Sequence, residues 1–163
     1  MSDQFFPEGY EAPADVSAFM KFEDGANTFR VLSPAVTGFE FWDSENKPHR
    51  SKIKFEETPD IRIEKSGKPS VPKHFWVFLV WNYKTESVQS LEITQKTVMK
   101  DIKALVDNPQ WGNPTKYDLT VNKTGKDLLT KYSVMPNPHS PISEDIQKAL
   151  DENTIDLEEI FED

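Results

Sequence analysis

Residues Lys73–Tyr83 read KHFWVFLVWNY, and this stretch is the strongest strand signal in the chain. Apart from Lys73, His74 and Asn82, all its residues are apolar or aromatic, and no glycine or proline interrupts it. A half-buried antiparallel strand normally alternates apolar with polar residues, yet both alternate sets are largely apolar here. Either both faces of the strand are covered, or one face presents its aromatic rings to a ligand.

The polar members of the two alternate sets indicate which face points outward. The two sets are Phe75, Val77, Leu79, Trp81 and Tyr83 on one side, and His74, Trp76, Phe78, Val80 and Asn82 on the other. Because the second set also carries the polar residues, we predict that Trp76 and Phe78 face outward.

The segments before this strand predict further β structure. Residues 18–42 contain runs of β-forming residues, and Pro34 among them predicts an edge, bend or bulge. The segment PHRSKIKF, residues 48–55, alternates basic with other residues and reads as the second half of this long first strand.

The segments after the strong strand supply a return strand, a helix and a hairpin. Residues 88–94 read VQSLEIT and predict the return strand, and the apolar spacing within residues 95–108 predicts an amphipathic helix. Residues 117–134 read as a closing hairpin. This order predicts a mainly β fold, a small five-stranded OB-fold-like barrel with one helix between strands three and four.

The chain divides into three segments by composition. Residues 1–15 contain Pro7 and Pro13 without periodicity and read as a flexible arm, residues 16–136 as the OB-fold core, and residues 137–163 as a linker, a short helix and an acidic tail. There is no cysteine and no apolar run near the roughly 20 residues that cross a bilayer, and from the acidic start we expect no signal peptide. We therefore expect a cytoplasmic protein with no membrane partner.

The net charge of −9 is unevenly divided along the 163 residues. Residues 47–100 hold eleven Lys and Arg against six Asp and Glu, whereas residues 133–163 hold one Lys against nine acidic residues. A basic centre thus precedes a strongly acidic end, which leaves an anionic ligand open despite the low pI.

Aromatic and basic residues are interleaved in this basic centre, as single-stranded nucleic acid requires. Bases stack on aromatic rings, and Lys and Arg contact phosphates. The candidate binding residues are Trp42, Arg50, Lys52, Lys54, Lys73, Trp76, Phe78, Trp81, Tyr83 and Lys84.

Four runs resemble a known family. FRVLSPAVTGFEFW, PKHFWVFLVWNY, LEITQKTV and WGNPTKYDLTV resemble phage and prophage-type single-stranded DNA-binding proteins. The resemblance implies an OB-fold core that coats DNA without sequence specificity during replication, recombination or repair in a bacterial host cell. Some phage DNA-binding proteins hold a structural zinc, but this chain lacks cysteine and its histidines are scattered, so we expect no metal or other cofactor.

The last nine residues, IDLEEIFED, combine five carboxylates with four large apolar side chains. The resemblance implies that such a tail docks replication or recombination proteins, with Leu157, Ile160 and Phe161 filling a partner's pocket. The same tail also fits the chain's own basic groove, where it would compete with DNA.

Other functions stay open on the sequence alone. A protein-interaction module on an OB-like barrel explains exposed aromatic residues, and an RNA-binding protein uses the same stacking and phosphate contacts. We do not expect an enzyme, because no HExxH, P-loop or GxSxG motif is present. The sequence also leaves a homo-oligomer open.

Overall fold

Eight strands and two α-helices make up the regular structure of this computed structural model, which describes Phe5, Glu8 and residues 18–161. The strands are β1 (Phe19–Met20), β2 (Gly25–Val31), β3 (Val36–Trp42), β4 (Pro48–Ser51), β5 (Lys73–Asn82), β6 (Ser87–Ile93), β7 (Tyr117–Thr124) and β8 (Lys131–His139). The helices are α1 (Lys96–Asp107) and α2 (Glu144–Glu152). Short 3-10 turns cover Pro114–Lys116, Asp127–Leu129 and Leu157–Phe161.

The predicted strong strand is β5, and the sheet is built around it. Its first half pairs with β3, with Gly38 opposite Phe75, and its last residues pair with β2. On the opposite edge of β5, the residues from Trp76 to Asn82 pair with β6, which places Leu91 opposite Phe78. On the far side of β2, β7 and then β8 extend the sheet. A mainly β fold is therefore confirmed.

The predicted five-stranded barrel with one helix is not what forms: the described strands make an open, mixed, eight-stranded sheet, accompanied by two helices. Among these strands β8 pairs with β7 alone, and Pro136 and Pro138 within β8 have no N–H to donate to a further strand. The other edge of β6 is taken by β1, which pairs with it in parallel. Closure between β8 and β6 is therefore absent from the described sheet.

The predicted long first strand is divided as well. β2 and β3 are separate strands because the segment between them contains Pro34, and both pair with β5 at different positions along its length. The basic segment contributes only four residues, as β4, while Lys52 and Lys54 lie beyond its end.

The main core lies between one face of the sheet and α1. Phe29, Phe78, Val80 and Leu119 contribute from the strands, and Val98 from α1 packs against them. α1 begins directly after its N-cap residue Gln95, whose side chain makes no capping hydrogen bond.

The C-terminal segment contains more strand, and packs more closely on the sheet, than its composition predicts. β8 runs to His139, beyond the predicted core boundary at residue 136. The short helix is α2, and its N-cap is Ser143, whose Oγ accepts a hydrogen bond from the Ile146 N–H at 3.2 Å. Ile146 is buried, and α2 packs on β6. The predicted arm lies outside the described residues except for Phe5 and Glu8.

Within the described ranges, neither helix has the length and hydropathy that crossing a membrane requires.

Candidate nucleic-acid interface

Both faces of β5 are covered, which resolves the question raised by its sequence. Phe78 and Val80 point into the main core. Phe75 and Val77 are also buried, at 0% and 4% exposure, but they point to the opposite side. We call this side the outer face, defined by Gly38 and Glu40 of β3, Arg50 of β4, and Phe75 and Val77 of β5.

The outer face is covered by the C-terminal tail. The Phe161 ring lies 6.0 Å from the Phe75 ring between centroids, tilted by 31°. Gly38 makes room for this contact, because a Cβ there would lie 2.8 Å from the Phe75 ring and 3.0 Å from the Phe161 ring. Further along, Ile155 and Ile160 line a cavity of about 430 Å³ together with Val77 and other residues of the sheet. The tail is therefore seated on the sheet through its apolar residues.

Lys52 joins the tail to the basic part of the sheet. Its Nζ lies 2.8 Å from a carboxylate oxygen of Glu158 and 5.4 Å from the centre of the Phe161 ring. One ammonium group thus contacts both a carboxylate and an aromatic ring from the same five-residue turn. Both charged side chains are more than half exposed, so the ion pair itself contributes at most about 1 kcal/mol.

A charged cluster lies beneath the tail. Glu40 is 5% exposed, and one of its carboxylate oxygens accepts a hydrogen bond from Arg50 Nε at 3.1 Å. Glu92 remains exposed, but desolvation by its surroundings, together with a hydrogen bond to Glu40 and its charge, raises its pKa to about 7, against the opposing effect of Arg50 and Lys73. Glu92 and Arg50 line the same cavity as Asp156 of the tail. The cluster therefore places sheet and tail carboxylates close together.

Five of the ten predicted binding residues lie in or next to this region. Arg50 and Lys52 are in contact with the cluster or the tail, and Lys73, exposed at the start of β5, lies opposite Glu40 in the sheet. Trp42 is half-buried at the end of β3 and shares the outer face by strand alternation. Lys54 is exposed shortly after β4. The structure thus brings together the early part of the predicted set.

The predicted residues at the other end of β5 form separate contacts. Tyr83 donates a hydrogen bond from its hydroxyl to Asp118 at 2.8 Å, and partial burial with this bond raises its pKa to about 12. Lys84 forms an ion pair with Glu23. Trp81 is half-buried and lies opposite Arg30 in the sheet. These three residues do not join the group around Lys52.

The outward face predicted for Trp76 and Phe78 is wrong, because both lie on the side of β5 that packs against the main core, and Trp76 differs only in keeping part of its surface exposed. Phe78 is 4% exposed and belongs to the main core. Trp76 is half-buried against that core and lines a groove beside α1. The polar residues that favoured this face, His74 and Asn82, lie near the ends of the strand, so they do not report on its middle.

Sequence reasoning missed Gly38, Phe75 and Glu92 at the outer face. Gly38 carried a signal, because a lone glycine inside a β-forming run often marks a close approach by another group. Phe75 belonged to the alternate set that was assigned to the core. Glu92 had no signal, since its neighbours Glu40 and Asp156 are distant in sequence.

The three residues predicted to dock a partner, Leu157, Ile160 and Phe161, are half-buried on the chain's own sheet. No group of three or more metal-ligating side chains occurs within the part of the chain that the structure describes. Comparison with protein-family models, with curated proteins and with solved structures finds no match.

Proposed function

We propose that this chain binds single-stranded DNA on its outer face with little sequence preference, and coats DNA during replication or recombination. The observation that carries the proposal is the contact of Lys52 with both Glu158 and Phe161. The tail offers this surface a carboxylate and an aromatic ring, which are the chemical counterparts of a phosphate and a base. A surface that binds a carboxylate and an aromatic ring is also suited to a phosphate and a base.

The cations on this surface support the proposal. Arg50 of β4 and Lys73 of β5 both lie beside Glu40 of β3, and Lys52 and Lys54 follow shortly after β4. Phe75 is the ring that a base would stack on once Phe161 leaves. Base stacking on an aromatic side chain stabilises binding by about 1–3 kcal/mol, and phosphate contacts add a salt-dependent part.

The connectivity of the strands is also consistent with this function. β5 and β6 are followed by α1 and then by β7 and β8, and β2 lies between β5 and β7. We propose that this order is that of a partly open OB-fold, a fold that binds oligonucleotides on a sheet face. A fold alone does not establish a function, so the proposal depends on the outer face.

The seated tail implies an order of events. Leu157, Ile160 and Phe161 reach a partner protein only after they leave the sheet. We therefore propose that DNA displaces the tail from the outer face, and that the released tail then docks a replication or recombination protein. Docking would thereby be restricted to DNA-bound copies.

A second candidate function is favoured by the same contacts. The outer face holds a peptide, with Phe161 seated between Gly38 and Phe75. A protein-interaction module that binds acidic, Phe-containing peptides from a partner would use this seat directly.

Titration with oligo(dT), followed by tryptophan fluorescence at two salt concentrations, tests the first proposal. The full chain and a variant without residues 154–163 are compared, and oligo(rU) tests the preference for DNA over RNA. We expect quenching that weakens steeply with salt, and tighter binding by the truncated variant. If neither protein binds oligo(dT) at low salt, but the truncated variant binds the peptide IDLEEIFED, the peptide-binding function is supported instead.

A further inference from the structure

A cavity of about 660 Å³ lies away from the outer face, at the end of the sheet where β2 finishes. Its walls come from the end of β2, the 3-10 turn before β7, the end of β8 and helix α2. Cavities of roughly 300–1,000 Å³ are typical of small-molecule sites. None of the residues that define the outer face lines this cavity.

A buried arginine lines the cavity and is held in place from several sides. Arg30 is 1% exposed, and its Nε donates a hydrogen bond to the Asp118 carboxylate at 2.6 Å. Its Nη1 donates to the carbonyl oxygens of Ser140 and Thr115, at 3.0 and 3.3 Å. Its Nη2 donates to the hydroxyl of Ser140 at 2.7 Å. The guanidinium plane is therefore fixed before any ligand arrives.

This guanidinium keeps one donor free. An arginine side chain carries five N–H groups, and the hydrogen bonds of Arg30 use four of them. The second N–H of Nη2 has no acceptor within the part of the chain that the structure describes. Because Arg30 lines the cavity, this donor is available to a ligand there.

The charge of the lining favours an anion. Arg30 and Lys116 line the cavity, and no Asp or Glu does. Asp118 offsets the charge of Arg30 but is not part of the lining. Lys116 is exposed and forms no ion pair among the described residues, so its charge is not offset. A guanidinium beside an ammonium group is an arrangement that binds phosphate.

The remaining walls are suited to a ligand with a flat body. The ring of His139 stacks on Tyr117, with 5.2 Å between centroids and an angle of 5°, and His139 is still exposed. Ile142 and Leu150, both half-buried, add apolar surface on the side of α2. An inorganic anion would leave the imidazole ring and these apolar side chains without a contact, whereas a base can stack on the ring.

We propose that this cavity binds a mononucleotide, with its terminal phosphate at Arg30 and Lys116 and its base against His139. A terminal phosphate with a base attached comes from two sources, a free nucleotide and the phosphorylated end of a DNA strand. The cavity shares no residue with the outer face, so this site stands or fails independently of DNA binding there.

Isothermal titration calorimetry of the full chain with dTMP and with thymidine tests the site. We expect dTMP to bind, and thymidine, which lacks the phosphate, to bind at least tenfold more weakly. Lys116→Ala should weaken dTMP binding about tenfold, because it removes a charged partner of the phosphate. Lys100→Ala, at an exposed position on α1, is the matched control and should change nothing. Equal binding of dTMP and thymidine, absence of dTMP binding, or equal effects of the two lysine substitutions would overturn the proposal.

A second variant separates the base from the phosphate. His139→Ala should weaken binding of dTMP severalfold and leave binding of inorganic phosphate unchanged. A loss of both would mean that His139 only supports the local fold and that no base lies against it, which contradicts the proposed pose. Lys116→Ala should also leave binding of unphosphorylated oligo(dT) as it is in the parent, since that binding is assigned to the outer face.

Competition against bound dTMP distinguishes the two sources of the phosphate. Displacement by 5′-phosphorylated oligo(dT), but not by the unphosphorylated form, would assign the site to DNA ends. Displacement by neither oligonucleotide would assign it to free nucleotides. Equal displacement by both would place dTMP on the outer face with the DNA, and the proposal would then be wrong.

Discussion

At the scale of single residues, substitution of Phe78 tests whether this ring belongs to the core or to a binding surface. It is 4% exposed within the main core, so its removal leaves a cavity as well as lost burial. We expect Phe78→Ala to lower the free energy of unfolding by about 3–5 kcal/mol. Urea denaturation followed by circular dichroism measures this, and Trp76→Ala, at a half-buried site, should cost less. Equal and small losses for both variants would restore the predicted outward face.

Glu92 gives a prediction about pH. Its pKa is raised from the ordinary 4.5 to about 7 in the folded chain, chiefly by desolvation and then by Glu40, although the residue is still exposed. Between these values the folded chain binds more protons than the unfolded chain. The stability associated with neutral Glu92 is therefore fully present below about pH 4.5 and is lost as pH rises through 7.

The variant Glu92→Gln stays neutral at every pH. We expect its thermal unfolding temperature to fall less than that of the parent between pH 5 and pH 8, and to exceed the parent's at pH 8. Glu64→Gln, in an exposed loop, is the matched control and should follow the parent. A parallel decline in Glu92→Gln and the parent would assign the pH dependence to other groups.

At the scale of elements, prediction from sequence succeeded where the pattern is local. β5, α1 and the β7–β8 hairpin lie where apolar periodicity placed them, because alternation and helical spacing are properties of adjacent residues. The closure of the barrel was not predictable in this way. It depends on which strand reaches the free edge of β6, and a two-residue strand, β1, takes that edge.

The tail was the element that composition described least well. Its five carboxylates are typical of a free, solvated segment, yet its apolar residues cover Phe75 and Val77. No local pattern distinguishes a tail that docks a partner from one that docks its own sheet. The candidate site was therefore partly predicted: its cations, Trp42 and a tail that fits the basic groove were named, but the Phe75 ring beneath the tail was not.

The contacts of the tail predict that apolar packing holds it more strongly than charge does. Phe161→Ala removes the ring from Phe75, and we expect it to lower the free energy of unfolding by about 1–3 kcal/mol. Glu158→Gln removes only an exposed ion pair and should cost less than about 1 kcal/mol. Chemical denaturation of the two variants side by side measures the difference. The reverse order would mean that charge, and not packing, seats the tail.

At the scale of the whole molecule, the division of charge produces an internal competition. The acidic end lies on the basic centre, so the net charge of −9 does not describe what an approaching strand meets. Under the proposed function, raising the salt concentration weakens the phosphate contacts of DNA and the charged contacts of the tail together. The two effects oppose each other in the full chain, because release of the tail frees the outer face.

This opposition predicts different salt slopes for the full chain and for a variant without residues 154–163. Plotted as the logarithm of affinity for oligo(dT) against the logarithm of salt concentration, the truncated variant should bind more tightly at low salt and show the steeper slope. The difference in affinity between the two proteins should narrow as salt rises, since the Debye length falls to about 3 Å at 1 M. The difference in affinity that remains at high salt should match the effect of Phe161→Ala on affinity, because that substitution removes an apolar contact.

In the truncated background, Lys52→Ala should make the slope shallower by about one unit, whereas Lys84→Ala, at the far end of β5, should leave it unchanged. Parallel slopes for the full and truncated chains would mean that the tail and the DNA occupy different surfaces.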